Sequence, residues 1–398
     1  MNRPRQQIIN AGRALLDLKL QNTHSGNISL KVGRRIYMTR TGSRKGHLVP
    51  ADIIDFNVSD HLKAIPRISS EAGSHRGILE YSNAVIHSHS IAATLLSYFE
   101  TQIIPVDWPG QFHLKSIPVL EFKSPAGSPE MEKEIPDMLR SHPALVVKTH
   151  GPFVRGVSLD EALFHMALLD FSATILLHLK SLGVNPPVMN ISDYPTIKPL
   201  KILGQPKVVS DISIVKTITQ IASDLFELQL SPLFTGSISL KREKQLLISP
   251  RATIPRYFKP VIYQVPLMVE TDHFFTKLHQ AVYLHSGARS AIFTHSPFGL
   301  IQAFSALSRG QKAIIPVDAE GKILYPSIPV LNPAEHFREI VRQAVRHKMV
   351  VLSGLGVLSI GDTLEQTIHH CSSLKNIGLI KTRYEMLKRD GKDLIKWE

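Results

Sequence analysis

The chain has 398 residues, of which 43% are hydrophobic and 20% are charged, and it carries a formal net charge of +13. This length predicts two or three domains, and the apolar content excludes a disordered chain. The single cysteine, Cys371, excludes a disulfide framework and a zinc ribbon, so we expect a cytoplasmic protein. We expect neither a secretory signal nor a membrane span. Residues 1–10 lack an apolar core, and the apolar stretch 173–179 is far shorter than the roughly 20 residues that cross a bilayer.

The first half of the chain alternates between helical and extended patterns. In some segments apolar residues recur with the period of a helix, and in others they alternate with polar residues as in a strand. In chain order, the patterns predict a helix at 8–18, strands at 27–30 and 35–39, a helix at 72–81, a strand at 84–87, a helix at 91–99, a strand at 144–148 and a helix at 159–179. Ser158 caps the last helix, with Glu161 three residues on. Strands interleaved with helices in this way predict an α/β/α layered domain.

The two halves of the chain repeat the same short strings in the same order. The pairs are Gly26–Lys31 with Gly236–Lys241, Ile104–Asp107 with Ile315–Asp318, and Ser116–Leu120 with Ser327–Leu331. An ordered series at a near-constant spacing predicts a tandem duplication of a domain of about 190 residues. We assign residues 1–188 to the first domain, 189–210 to a proline-containing linker, and 211–398 to a degenerate second domain.

Three histidines of the first half form a candidate metal site. His87 and His89 lie at the end of a predicted strand, where alternate residues point to the same face, so both imidazoles can reach one point. His150 follows a buried strand and precedes Gly151, which lets the backbone approach closely. Three histidines leave an open position, which is the catalytic rather than the structural zinc arrangement. The alternative for His150 is a turn residue that makes a local hydrogen bond.

A carboxylate lies close to these histidines in the sequence. Glu71 follows Ser69 and Ser70 and opens the helix that ends before the His87 strand. It either caps that helix, where the helix dipole favours a negative charge, or acts as a general acid/base beside the metal. The two serines offer hydroxyl and N–H groups to an anion.

Two glycine turns predict a phosphate cradle. One turn contains Gly26 and Asn27, and the other contains Thr41 and Gly42. Small polar residues beside glycine suit a nest of backbone donors for an anion. Positive charge near the second turn comes from Arg40, Arg44 and Lys45, although a solvated surface explains these side chains equally well.

These motifs, together and in this order, resemble the class II aldolase/adducin family. The matching strings are Ser-Gly-Asn-Ile-Ser at 25–29, Thr-x-Thr-Gly at 39–42, Ser-Ser-Glu at 69–71 with His75 after it, His-x-His at 87–89 and His-Gly at 150–151. The match covers about residues 5–180, and the second half resembles the same domain less closely. The resemblance implies an α/β fold of two tandem α/β/α layered domains, each with a central, mainly antiparallel sheet.

The resemblance also implies a role for each matching residue. His87, His89 and His150 would hold Zn²⁺ or another divalent ion such as Mn²⁺ or Co²⁺, and Glu71 would be the catalytic acid/base. The substrate phosphate would be bound by Gly26, Asn27, Thr41, Gly42, Ser69 and Ser70. Arg40 departs from the family pattern, since many members have proline at that position.

The implied activity is metal-dependent aldol cleavage of a phosphorylated sugar through an enediolate that the metal stabilises. Epimerases, dehydratases and decarboxylases of the family share this enolate step, so the reaction stays open. The remaining alternative is a non-catalytic, adducin-like interaction module, which the histidines of the first half disfavour.

The second half lacks most of these groups. It retains His295 opposite His89, but it has Phe293, Leu355, Phe275 and Arg251–Ala252 in place of His87, His150, Glu71 and Thr41–Gly42. We therefore expect a catalytically silent second domain. We also expect a homodimer in which two chains form a pseudo-fourfold assembly, the alternative being two independent domains on a flexible linker.

The positive charge favours an anionic partner, and a small sugar phosphate fits the motifs. Nucleic acid is not expected, because the sequence has no block of five basic residues and no zinc-finger pattern. A basic surface without a specific partner remains the alternative.

Overall fold

The structure, a computed structural model, describes residues 3–124, 127–186, 194, 207–233, 236–249, 261–268 and 270–389. The chain divides into two compact units. The first contains Met1–Pro105 and Pro109–Leu177, and the second contains Val106–Trp108 and His178–Glu398. Most of the predicted linker, 189–210, lies outside the described residues, and its residues 207–208 form a strand. The boundaries at 188 and 211 stay predictions.

The first unit is built from a sheet and its covering helices. Its strands are β1 (Asn27–Val32), β2 (Arg35–Thr39), β3 (Ile53–Asn57), β4 (Ala84–His87), β5 (Gln102–Ile103), β6 (Ile117–Leu120), β7 (Ala144–Val147) and β8 (Gly151–Gly156). Its helices are α1 (Arg3–Asp17), α2 (Ala72–Ile78), α3 (Ile91–Ser97), α4 (Trp108–His113), α5 (Pro129–Ser141) and α6 (Leu159–Ser181), the last of which ends beyond the unit boundary. Short 3₁₀ turns lie at Lys45–His47, Pro50–Asp52 and Leu62–Ala64.

The sheet of the first unit has the strand order β3-β2-β1-β4-β8-β7-β6-β5. Neighbouring strands are antiparallel except for β6 and β7, which are parallel. This confirms the expected mainly antiparallel sheet. In the register of β1 and β4, Asn27 lies directly opposite His87, so two of the predicted site residues meet at the same end of the sheet.

One face of this sheet is covered by α2 and α5. Ile78 of α2 and Ile135 of α5 are fully buried in a cluster with Val85 and Phe153 of the central strands. Because side chains alternate across a strand, Ile86 points to the opposite face from Val85, and it is also fully buried. Both faces of the central strands are therefore covered, as the α/β/α layering requires.

Most predicted elements of this unit are confirmed, some with shorter ends. Helices α2 and α3 end three and two residues before the predicted ends, at Ile78 and Ser97. The backbone N–H of Glu161 donates to the Ser158 hydroxyl at 3.2 Å, which confirms the predicted cap of α6. Strands β3, β5, β6 and β8 and helices α4 and α5 were not predicted. Of these, β8 begins with glycine and α5 begins with proline, and both residue types break regular patterns in a sequence.

Helix α6 is longer than the apolar stretch found in the sequence. By length and composition alone it is apolar enough to cross a membrane. However, 72% of its most apolar window is buried inside the protein, as in a core helix of a globular domain, so the match is weak evidence for a membrane span.

The second unit repeats this architecture. Its strands are β9 (Lys207–Val208), β10 (Ser237–Arg242), β11 (Gln245–Ser249), β12 (Tyr263–Pro266), β13 (Ser290–Thr294), β14 (Ala313–Ile314), β15 (Ile328–Leu331), β16 (Met349–Leu352) and β17 (Gly356–Gly361). Its helices are α7 (Ile212–Glu227), α8 (Phe274–His285), α9 (Pro297–Ser308), α10 (Ala319–Leu324), α11 (Phe337–His347) and α12 (Leu364–Arg389).

The second sheet has the strand order β14-β15-β16-β17-β13-β10-β11-β12-β9, again with a single parallel pair, β15 and β16, among the described strands. One buried cluster joins α8 and α11 to the sheet, and a second joins α7 and α12 to the other face. Ser237 of β10 lies opposite Phe293 of β13, in the same register as Asn27 and His87 in the first unit. The two halves therefore align residue by residue at this end of the sheet.

Candidate metal centre

The three predicted histidines of the first unit come together at the end of the sheet. His87 ends β4, and His150 lies in the turn between β7 and β8. The Nε2 atom of His87 lies 3.2 Å from Nε2 of His89 and 3.0 Å from Nε2 of His150. All three side chains can offer ligand atoms within 4.8 Å of one another. The structure thus brings these residues to one point, as the sequence predicted.

Backbone and ring contacts orient His87. Its Nδ1–H donates to the backbone oxygen of Pro152 at 2.9 Å, which leaves the Nε2 lone pair directed at the other two histidines. Its ring stacks on Phe153 at 4.2 Å and on His150 at 4.7 Å. The side chain is 1% exposed. Burial lowers the pKa of His87 to about 3, so the imidazole is neutral and its lone pair is available to a metal.

The geometry of the cluster fits a divalent ion. With Zn–N bonds of 2.0–2.1 Å and tetrahedral angles, ligand nitrogens lie about 3.3 Å apart. The observed separations of 3.0 and 3.2 Å are close to this value. The three histidines could therefore hold a metal and leave a position open.

Glu71 lies against this cluster. Its backbone precedes α2, and no helix N–H donates to its side chain, so the capping alternative does not describe it. Oε1 lies 3.0 Å from Nε2 of His150 and 3.6 Å from Nε2 of His87. The carboxylate is 5% exposed.

Two opposing effects act on the pKa of Glu71. Burial alone would raise it, but the attraction of His87, which is protonated only at acid pH, and the hydrogen bonds from His150 and Asn27 outweigh burial and hold the pKa well below its usual range. The group is therefore a carboxylate at neutral pH.

Asn27 links Glu71 to the predicted phosphate residues. Its Nδ2 donates to Oε2 of Glu71 and, at 3.0 Å, to the hydroxyl of Ser69. The backbone N–H of Glu71 also donates to that hydroxyl at 3.3 Å. One hydrogen-bonded group thus contains Asn27, Ser69 and Glu71, and in it the Asn27 side chain donates to the carboxylate.

The remaining predicted phosphate residues lie around this group. Gly26 has a φ of +71°, and a Cβ there would lie 2.4 Å from the backbone oxygen of His87, so only glycine fits. Gly42 has a φ of +74° in an exposed turn. The Thr41 hydroxyl donates to the backbone oxygen of Ile68 at 3.0 Å, which ties this turn to the segment that precedes Ser69. Ser70 is exposed.

For Lys45, the alternative of a solvated surface side chain is wrong. Its side chain is 1% exposed. The Nζ atom donates to the backbone oxygens of His24 at 3.1 Å and Ser43 at 3.0 Å, so the ammonium joins the two glycine turns. Burial lowers the pKa of Lys45 to about 8. Spacing alone could not reveal this, because an isolated lysine in a polar turn is normally exposed.

At the aligned positions that the structure describes, the second unit keeps His295 opposite His89 and Gly236 opposite Gly26, but it lacks the other two histidines and the carboxylate. Phe293 and Leu355 replace His87 and His150, and both are fully buried. Phe275 replaces Glu71. Residues 251–252, predicted to replace the Thr41 turn, lie outside the described residues. The only three-residue group that could hold a metal among the described residues is the one in the first unit.

Comparisons with known proteins show the family to which the chain belongs. The family model described as the class II aldolase and adducin N-terminal domain matches residues 6–177 and 267–380. The chain is 31% identical to an L-fuculose phosphate aldolase of Methanocaldococcus jannaschii, over 44% of this chain and 95% of the relative. It is 30% identical to a methylthioribulose-1-phosphate dehydratase of Gluconacetobacter diazotrophicus, over 42% of this chain and 88% of the relative.

Among solved structures, the L-fuculose-1-phosphate aldolase of Thermus thermophilus is 28% identical and matches with a TM-score of 0.44, over 47% of this chain and 99% of that one. The two stretches that match the family model together make up more than half of the chain. This protein therefore belongs to the class II aldolase family and contains the family's domain twice in tandem.

Proposed function

We propose that this chain is a divalent-metal-dependent aldolase that cleaves a phosphorylated sugar, with its active site in the first unit. His87, His89 and His150 hold the ion, which is Zn²⁺ or a similar ion such as Mn²⁺ or Co²⁺. When bound, the ion supplies Lewis-acid stabilisation of the negative charge that develops on substrate oxygens. The cluster of three histidine side chains, in which His87 is neutral, supports this assignment.

The observation that carries the proposal is the position of Glu71. Its Oε1 lies 3.0 Å from Nε2 of His150, inside the same buried group of side chains. A carboxylate oxygen at this position could transfer a proton to or from a substrate bound at the histidine cluster. Asn27 holds the other oxygen, Oε2, so Oε1 is the atom we assign to proton transfer.

The substrate phosphate is assigned to Gly26, Asn27, Thr41, Gly42, Ser69 and Ser70. Ser69 contacts Asn27, and Thr41 is tied to the segment before Ser69, which supports a continuous anion-binding rim. Lys45 joins the two turns of that rim by donating a hydrogen bond to a backbone oxygen of each. The similarity to an L-fuculose phosphate aldolase and to a methylthioribulose-1-phosphate dehydratase supports a phosphorylated sugar as the substrate class.

A panel of ketose 1-phosphates tests the proposal. Aldol cleavage releases dihydroxyacetone phosphate and an aldehyde, and both are measured with the metal-loaded chain. His87→Ala should abolish the release, and Glu71→Gln should lower it by about 10²–10⁴-fold. His295→Ala, the matched change in the second unit, should leave it intact. Turnover that depends on His295 and survives His87→Ala would place the active site in the second unit and contradict the proposal.

The second candidate is dehydration of a sugar phosphate. It is favoured by the 30% identity to a methylthioribulose-1-phosphate dehydratase. The same panel separates the two, because a dehydratase consumes the ketose phosphate and forms a dicarbonyl without releasing dihydroxyacetone phosphate. An epimerase would interconvert two sugar phosphates of equal mass, and an interaction module would consume none.

We further propose that the second unit is catalytically silent, that the protein acts in the cytoplasm, and that two chains form a pseudo-fourfold homodimer. The buried phenylalanines at the ligand and acid/base positions support the silent unit. Light scattering tests the dimer, since one chain has a mass of 44.4 kDa. A monomer with full turnover would contradict the assembly without affecting the assigned site.

A further inference from the structure

Both units contain a buried histidine that bonds to a serine of the adjacent strand. His75 of α2 is 1% exposed, and His279 of α8 is 0% exposed. The Ser29 hydroxyl lies 2.7 Å from Nδ1 of His75, and the Ser239 hydroxyl lies 2.5 Å from Nδ1 of His279. This histidine–serine bridge ties the helix to strand β1 in the first unit and to strand β10 in the second. It is present in the silent unit as well, so the bridge itself has a structural role.

The two histidines differ at the other ring nitrogen. In the second unit, the Ser237 hydroxyl lies 2.7 Å from Nε2 of His279, so both nitrogens are bonded. The aligned residue in the first unit is Asn27, whose amide nitrogen donates to Glu71 and Ser69 instead. Nε2 of His75 and Oδ1 of Asn27 are both buried, and neither has a hydrogen-bond partner in the described part of the chain.

These two atoms are complementary. The Asn27 oxygen accepts hydrogen bonds only, and Nε2 of His75 is a donor when the Ser29 hydroxyl donates to Nδ1. A side chain at this strand position reaches Nε2 in the second unit, since the Ser237 hydroxyl does so. Asn27 occupies the equivalent strand position, and its side chain extends one bond further than that of serine. Buried polar atoms without partners are rare, so a small rotation that pairs the two is favoured.

The direction of the Asn27 amide matters for Glu71. An amide presents NH₂ on one side and oxygen on the other, and only the NH₂ side can donate to a carboxylate. If the amide were reversed, its oxygen would face the carboxylate and repel it. A donor on the far side, at Nε2 of His75, selects the orientation that supports Glu71.

We propose that His75 is a positioning residue for proton transfer: its Nε2–H holds the oxygen of the Asn27 amide, so that the amide NH₂ holds the Glu71 carboxylate. The expected effect on turnover rests on the proposed function of Glu71. The hydrogen bond between His75 and Asn27 does not rest on it. The second unit has lost the carboxylate and has a serine in place of the asparagine, so His279 there has only the structural role.

The first test needs no substrate. ¹⁵N NMR of the histidine rings in the full-length, zinc-loaded chain reports which nitrogen of His75 carries the proton, with Asn27→Ala used to identify the Nε2 contact. We expect the proton on Nε2, and a shift of the Nε2–H signal in Asn27→Ala. A proton on Nδ1, or an Nε2–H signal unchanged in Asn27→Ala, would overturn the proposal.

The second test is a double-mutant cycle on turnover of a cleavable sugar phosphate. His75→Phe should lower kcat by about 10- to 100-fold with little change in KM or in bound metal, because it weakens a hydrogen bond to a charged group through Asn27. Adding His75→Phe to Asn27→Ala should cause no further loss of kcat. Additive losses would mean that His75 acts only through the fold.

His279→Phe is the matched control, since it removes the same bridge from the silent unit and should leave kcat within about twofold. An equal loss of kcat in His279→Phe would assign the effect to destabilisation and overturn the proposal. If His75→Phe does not fold, Ser29→Ala takes its place, because it removes the hydroxyl that sets the tautomer of His75. This variant should lower kcat while it retains the metal. An unchanged kcat would contradict the proposal. Absence of turnover in the unmodified chain would refute the proposed function, whereas the NMR result would still decide the hydrogen bond.

Discussion

The rings of Phe275 and Phe293 lie in contact in the second unit, with their centroids 4.8 Å apart. They stand at the positions of Glu71 and His87, whose Oε1 and Nε2 atoms lie 3.6 Å apart in the first unit. A buried polar pair has thus been replaced by a buried aromatic pair. Since a single reversion would leave one buried polar group against a phenyl ring, the loss of the site is not easily reversed.

The metal prediction concerns His87. Because its Nε2 is within 3.2 Å of both other histidine nitrogens, His87→Ala removes the central ligand. Elemental analysis of the purified chain should find close to one divalent ion, and less than about a tenth of it in the variant, as expected when a catalytic site falls to two ligands. His295→Ala should keep the full amount. An ion retained in His87→Ala and lost in His295→Ala would contradict the assignment.

The acid/base prediction concerns Glu71. Glu71→Gln keeps the size of the side chain and leaves the three histidines in place, so metal content and fold should be retained. Turnover should fall by about 10²–10⁴-fold, the usual contribution of general acid–base catalysis. Circular dichroism and elemental analysis serve as controls. A variant that cleaves the substrate at the normal rate would show that another group moves the proton.

The core prediction concerns Phe293, which is fully buried. Phe293→Ala removes its contacts with Phe275 and should lower the free energy of unfolding of the second unit by about 3–5 kcal/mol. At a temperature where the variant remains folded, kcat should stay unchanged, because we propose that this unit is catalytically silent. Chemical denaturation and the turnover assay together check this. A large loss of kcat in the folded variant would indicate that the second unit takes part in the reaction.

The pH prediction concerns the buried histidines of the second unit. Burial lowers the pKa of His279 to about 3 and that of His273 to about 4, from ordinary values near 6.5. Below pH 6.5 the unfolded chain therefore binds protons that the folded unit does not bind. The stability of the second unit is complete above pH 6.5 and falls as the pH is lowered, by about 1.4 kcal/mol per pH unit for each group.

Denaturant unfolding at pH 7, 6 and 5 measures this slope. His279→Gln removes one titrating group and should reduce the slope by about one proton, whereas His285→Gln, at an exposed position, should not change it. A slope that is the same in all three proteins would show that His279 does not contribute to the acid sensitivity.

Much of the site could be predicted from the sequence because its residues lie at the ends of short regular elements. His87 ends a strand whose four residues are all buried, and period-two alternation alone places His89 on the same side. His150 could be joined to them only as a candidate with an open alternative, because 63 residues separate it from His87. Its position depends on the pairing of β8 with both β4 and β7, which is a tertiary contact.

Other features could not be predicted from local patterns. The buried Lys45 ammonium donates to the backbone carbonyl of His24, which lies 21 residues away in the chain. No periodic pattern in the sequence predicts this contact. The partner of the Asn27 amide, Glu71, lies 44 residues away on another element. The sequence indicates which residue types are present, whereas the direction of a side chain is decided by neighbours that are distant in the chain.

The crowding at Gly26 has a consequence for how such duplicated chains are interpreted. A Cβ at Gly26 would lie 2.4 Å from the backbone oxygen of His87, and one at Gly236 would lie 2.5 Å from that of Phe293. The requirement for glycine comes from the close approach of two backbone segments, and it persists after the imidazole has been lost. Retention of this glycine in a family sequence is therefore a signature of the sheet, and it gives no information on whether that copy of the domain still performs chemistry.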